Sequence, residues 1–76
     1  MELKEFMQHF AEQFDDLDAA TLSVETRYRE LEDWSSIVAL SIIAMIDEEY
    51  DTTITGTEMK STTTIGELFQ LVQSKL

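Results

Sequence analysis

Four groups of residues have side chains able to do chemistry: His9, Asp15-Asp16-Leu17-Asp18, Asp47-Glu48-Glu49 and Ser35-Ser36. His9 is the only histidine and there is no cysteine, so the convergent ligands that a metal site needs are missing. It reads as a surface histidine. The cluster from Asp15 to Asp18 lacks the alternating Asp/Asn ligands, central glycine and terminal glutamate of a calcium loop, and reads as a solvated acidic turn. Asp47, Glu48 and Glu49 fall on an open helical surface, whereas general acid–base catalysis needs carboxylates whose pKa values are tuned by their surroundings. There is no glycine-rich phosphate loop. These residues point to a protein that is not an enzyme and holds no metal.

The serine pair admits two readings. Ser35 can cap a helix and Ser36 can be an ordinary first-turn residue. Alternatively, one hydroxyl is a covalent attachment point. A helix start offers free N–H groups and positive dipole, which favour a phosphoryl group there.

The elements that position these residues follow from periodicity. Leu3, Phe6, Met7, Phe10, Phe14 and Leu17 recur at steps of three and four, predicting an amphipathic helix over about 2–14, extendable to 17. Residues 15–34 show no clean period, yet Leu17, Leu22, Val24, Tyr28, Leu31 and Trp34 are spread along them. They predict a structured crossing loop with a helical turn near 28–31. The second helix is expected over 36–50, with Ser35 as cap and Ala39, Ile42, Ile43, Ile46 and Tyr50 facing inward. Ile37, Val38, Leu40, Ala44 and Met45 then point elsewhere. A chain this small cannot cover them all, and an exposed apolar strip marks a contact surface. Thr55-Gly56-Thr57-Glu58 and Thr64-Ile65-Gly66-Glu67 fit the capping box, opening a short helix to about 61 and a last helix with Ile65, Leu68, Phe69, Val72 and Leu76 inward. The expected fold is all-α, a small four-helix bundle in a single domain over 1–76, with a long loop between helices 1 and 2.

Sixteen acidic residues against five basic ones give a net charge of −11. That sign disfavours nucleic acid and anionic membranes as partners and favours basic proteins. The zero cysteine count excludes a disulfide framework. The first residues do not resemble a signal peptide, and the run Ile37 to Ile46 is about half of the ~20 residues a membrane span needs. A cytoplasmic monomer is expected.

The stretch Glu30-Leu31-Glu32-Asp33-Trp34-Ser35-Ser36-Ile37, running on to Ile43-Ala44-Met45-Ile46-Asp47-Glu48-Glu49-Tyr50-Asp51, resembles the acyl carrier protein family. That family opens its second helix with a serine followed by Leu or Ile and ends it with acidic residues, an aromatic and an acid. The match runs without a gap through Thr52-Thr53-Ile54 to Thr63-Thr64-Ile65. The resemblance implies a four-helix carrier whose serine receives 4′-phosphopantetheine from coenzyme A through a phosphopantetheinyl transferase. Acyl groups are then carried as thioesters.

Residue by residue, the modified serine falls on Ser36 and the apolar position after it on Ile37. Recognition positions fall on Leu40, Ala44, Asp47 and Glu48, with Asp51 and Glu58 adding charge that steers the carrier to basic patches on acyl-transferring and chain-elongating enzymes. Ile42, Ile46, Ile54 and Met59 are expected to line a shelter for the acyl chain. One departure stands out. The family usually has Asp before the serine, and this chain has Ser35, which leaves room for a specialised transferase and for Ser35 as the attachment site. An unmodified adapter and a peptidyl or aminoacyl carrier are the competing readings.

Overall fold

The computed structural model describes residues 1–76. Its helices are α1 (Leu3–Ala11), α2 (Ser36–Tyr50), α3 (Gly56–Lys60) and α4 (Ile65–Ser74), with 3₁₀ turns at Ala19–Thr21 and Tyr28–Glu30 in the crossing loop. The fold is the small helical bundle that the periodicity predicts, and α2 has the expected bounds.

α1 is shorter than expected. After Ala11 the chain tightens into turns, with Gln13 N–H on the Phe10 carbonyl at 3.2 Å and Phe14 N–H on the Ala11 carbonyl at 3.1 Å. Asp15 and Asp16 would place negative charge at the helix's negative end, which disfavours extension. Phe14 is nevertheless buried, so the apolar stripe outlasts the helix that suggested it.

A continuous core joins the loop to all four helices. Phe6 packs edge-on against Phe69 at 5.5 Å, while Phe10 meets Tyr28 at 5.7 Å and Tyr28 meets Trp34 at 5.2 Å. The loop is therefore fixed by its own aromatic residues.

Two side-chain directions differ from expectation. Met45 is buried because α2 turns one side towards α1, where Met45, His9 and Gln13 border the same depression. Leu76 lies past the end of α4 and is exposed.

Both capping boxes form: Thr55 and Thr64 accept from the backbone N–H of Glu58 and Glu67, and each glutamate reaches back to its cap. At α4 the loop supplies further acceptors. Ile65 N–H meets the Thr26 carbonyl at 3.0 Å and Gly66 N–H the Val24 carbonyl at 2.9 Å, satisfying donors that a helix start leaves free. The approach favours glycine, since a Cβ on residue 66 would lie 3.0 Å from both the Cβ and the carbonyl oxygen of Val24, and the loop would have to give by a few tenths of an ångström.

Candidate functional site

The two serines have different tasks. Ser35 is the N-cap of α2, its Oγ accepting from Val38 N–H at 3.2 Å. Ser36 is the first helical residue, exposed, with its hydroxyl outside the cap. Position 36 therefore presents a free hydroxyl on a backbone that its neighbour has already fixed.

Downstream of Ser36, Ile37 is 75% and Leu40 66% exposed. Ala44, Asp47, Glu48 and Asp51 are also exposed, so the surface of α2 passes from apolar at its start to acidic at its end. Asp51 ends the helix in a left-handed conformation, φ 52° and ψ 42°, which places its carboxylate at a sharp change of chain direction.

Glu58 is placed differently. Its Oε2 pairs with Lys75 Nζ at 2.6 Å and its Oε1 accepts from Thr55 N–H at 3.0 Å. The bond from Lys75, reinforced by that from Thr55, holds its carboxyl below the usual glutamate range. Its charge is answered within the chain, unlike those of Asp47, Glu48 and Asp51.

A cleft of about 330 Å³ opens beside Ser36, between α2, α3 and the Tyr28–Glu30 turn. Ser36, Ala39, Leu40 and Ile43 form one wall, Met59 and Lys60 another, and Trp34 and Arg29 come from the loop. No carboxylate lines it. Of the four residues expected to shelter a chain, Met59 borders this cleft; Ile42, Ile46 and Ile54 are buried in the core behind it. The missed wall did leave a signal, because Ser36, Ala39, Leu40 and Ile43 share one helical face at steps of three and four. Trp34 and Arg29 left none, being in an aperiodic segment.

α3 is held over the cleft through one backbone carbonyl. The oxygen of Met59 accepts from Tyr28 Oη at 2.9 Å, Thr62 Oγ1 at 2.8 Å, Arg29 Nη1 at 3.2 Å and Thr62 N–H at 3.1 Å. Burial pushes the Tyr28 phenol up, against the opposing effect of its bond to Thr62.

His9 is not a plain surface residue. Its side chain is half-buried against the Tyr50 ring, with Glu5, Glu12 and Glu49 between 3.5 and 3.8 Å from its nitrogens. Burial also raises the Tyr50 phenol, whose hydroxyl is enclosed without a partner. No group of three or more His, Asp or Glu side chains has the geometry to hold a metal ion.

A free serine at the head of a helix, beside an apolar cleft without carboxylates, fits a covalently attached phosphate-linked arm. The family model for the phosphopantetheine attachment site matches residues 4–72, and the chain belongs to that family. Its members carry covalently bound 4′-phosphopantetheine and are generally non-catalytic. They interact with phosphopantetheinyl transferases and synthesis enzymes. Neither the curated proteins nor the solved structures give a match. No helix is long and apolar enough to cross a membrane.

Proposed function

We propose that the chain is a single-domain, monomeric, cytoplasmic acyl carrier whose arm is attached at Ser36. The observation that carries the reading is the division of labour between the serines. Ser35 caps the helix, and Ser36 leaves its hydroxyl free beside the cleft. When bound, 4′-phosphopantetheine supplies a thiol that holds acyl groups as thioesters. Ser36 Oγ is the attachment nucleophile: it bonds to the pantetheine-side phosphorus of coenzyme A, the pyrophosphate P–O bond breaks with adenosine 3′,5′-bisphosphate leaving, and the serine proton passes to the transferase.

Ile37, Leu40 and Ala44 supply an apolar contact for partner enzymes, and Asp47, Glu48 and Asp51 steer that contact to basic patches. Surface charge of this kind speeds encounter more than it tightens the complex, which suits a shuttle that must leave each partner. Glu58 joins this surface only by releasing Lys75. The acyl chain enters beside Ile43 and Met59, and reaches Ile42, Ile46 and Ile54 only if the core opens. Fatty acid synthesis or a specialised, polyketide-like pathway supplies the cargo.

The test is incubation with coenzyme A and a broad-specificity phosphopantetheinyl transferase, followed by intact-mass measurement. Wild type should gain one arm and Ser36→Ala none. Ser35→Asp retains a good cap, so it should leave both the fold and the modification intact. Modification of Ser36→Ala would move the site to Ser35.

Ser35 in place of the family's usual Asp favours one second reading, an adapter that is never modified. It predicts no mass gain with several transferases and partner binding indifferent to Ser36→Ala. A peptidyl or aminoacyl cargo is distinguished by the mass of the loaded thioester in cells.

A further inference from the structure

Two of the chain's five basic residues, Arg29 and Lys60, line the same cleft as Ser36. They come from different elements, the Tyr28–Glu30 turn and the end of α3, and converge from opposite sides of the sequence. Arg27 and Lys75 are paired with Glu30 and Glu58, but neither Arg29 nor Lys60 takes part in an ion pair. Arg29 is held in place, with its guanidinium 5.7 Å from the Tyr28 ring centre and one N–H on the Met59 carbonyl at 3.2 Å. A guanidinium has five N–H donors, so others remain for a ligand. No carboxylate lines the cleft, although Glu67 lies within Coulombic reach of Arg29, so in a chain of net charge −11 two cations on one cleft stand out.

The rest of the cleft is apolar, lined by Trp34, Ile43 and Met59 among others. Its occupant must therefore combine one anionic group with an adjoining hydrocarbon surface. The arm attached at a serine has that order of groups: a phosphodiester at the attachment point, then a methylene and a carbon bearing two methyls. On the reading that Ser36 carries the arm, we propose that Arg29 and Lys60 clamp its phosphodiester and fold its first segment into the cleft against Trp34. Loaded and unloaded carrier would then differ from a protein with a freely swinging arm, since release to a partner enzyme requires the clamp to open. An acidic partner surface near the cleft would compete for the same cations.

The experiment uses the modified protein, confirmed by intact mass, and reads the arm by phosphorus-31 relaxation together with proton contacts between its geminal methyls and the Trp34 indole. Wild type should show a phosphorus that relaxes at the rate of the folded protein and methyl contacts to the indole. Lys60→Gln should weaken both, and Arg29→Gln with Lys60→Gln should lose the contacts and slow the transverse relaxation severalfold. High salt should act in the same direction. Because Arg29 also holds α3, Arg29→Lys provides the check: it keeps the charge and should retain part of the effect. Equal relaxation in wild type and the double variant overturns the clamp while leaving the carrier reading intact. A loss with Arg29→Gln but none with Lys60→Gln or Lys60→Glu overturns it too, since α3 anchoring then explains the result. Contacts that appear only with a cargo ending in a carboxylate assign the cations to cargo and overturn it. No mass gain at Ser36 is a different failure, that of the carrier reading, and removes this proposal with it.

Discussion

Tyr28→Phe should loosen α3 without disturbing the start of α2, because the Tyr28 hydroxyl belongs to the hydrogen-bonded knot on the Met59 carbonyl. Thr62 has one hydroxyl proton, and it donates to Met59 O at 2.8 Å; the phenol, 2.6 Å from Thr62 Oγ1, then donates into that hydroxyl or directly to Met59 O at 2.9 Å. Removing the phenol oxygen leaves the ring in place in a fully buried site and orphans no donor. The expected cost is thus that of one buried hydrogen bond, about 1–1.5 kcal/mol. For a domain of this size that lowers the melting temperature by roughly 4–12 °C. Thr62→Val breaks the same chain, so the double variant should fall short of the summed single costs by about 0.5–1 kcal/mol. Amide exchange should accelerate in α3 and stay protected in α2.

The phenol's titration gives an independent check. Burial raises Tyr28 above its ordinary value of 10.0, so the folded protein holds that proton more tightly than the unfolded chain. The associated stability is fully present below 10.0 and declines as pH rises past it. Tyr28→Phe should have a shallower alkaline decline, with Tyr50 supplying what remains. A stability change within about 0.3 kcal/mol, or strict additivity with Thr62→Val, would refute the knot.

Three further perturbations test separate parts of the structure. Gly66→Ala forces a Cβ to within 3.0 Å of the Val24 backbone and should cost about 1–3 kcal/mol by chemical denaturation; a neutral result would mean the loop is free to move away. Glu67 accepts from the backbone N–H groups of Thr63 and Thr64, which hold its pKa below 4.5, so its stabilisation is present above that value and is lost as pH falls through the lowered one. Glu67→Ala should therefore melt below wild type at pH 7, and the difference should close on acidification; a gap independent of pH contradicts the capping account. Ile37→Ala, at a 75% exposed position, should change stability by no more than about 0.5 kcal/mol, whereas Ile42→Ala in the core should cost about 2–5 kcal/mol. Partner pull-down or surface binding should rank them in the reverse order.

What could be read in the sequence was whatever one helix states by itself. The caps at Ser35, Thr55 and Thr64 depend on contacts within four residues, and all three form as their local patterns imply. The inward faces of α2 and α4 were mostly recoverable for the same reason. Met45 was not, since which second side of α2 is covered depends on where α1 lies, and no period in α2 encodes that. The length of α1 is not legible in the period, because Phe14 continues the apolar stripe through turns that follow the helix. Burial preserved the spacing after the hydrogen bonding had changed. Arg29 and Trp34 were invisible as site residues, for their loop has no period and their roles arise only when the chain returns at α3.

The same distinction bears on Ser35. Asp and Ser cap helices about equally well, so the fold of α2 does not require serine at this position. What serine changes is charge, removing a carboxylate from the residue adjoining the Ser36 hydroxyl while Arg29 and Lys60 stand in the cleft beside it. Within α2 the acidic groups lie only at the far end, in Asp47, Glu48 and Glu49, with Asp51 as its C-cap. A uniformly negative carrier would offer every basic partner the same attraction over its whole surface. With Arg29 and Lys60 beside the start of α2 and carboxylates at its end, a partner bearing a basic patch would be oriented: the patch would meet the acidic end, and Ser36, at the opposite end, would face whatever lies beside that patch.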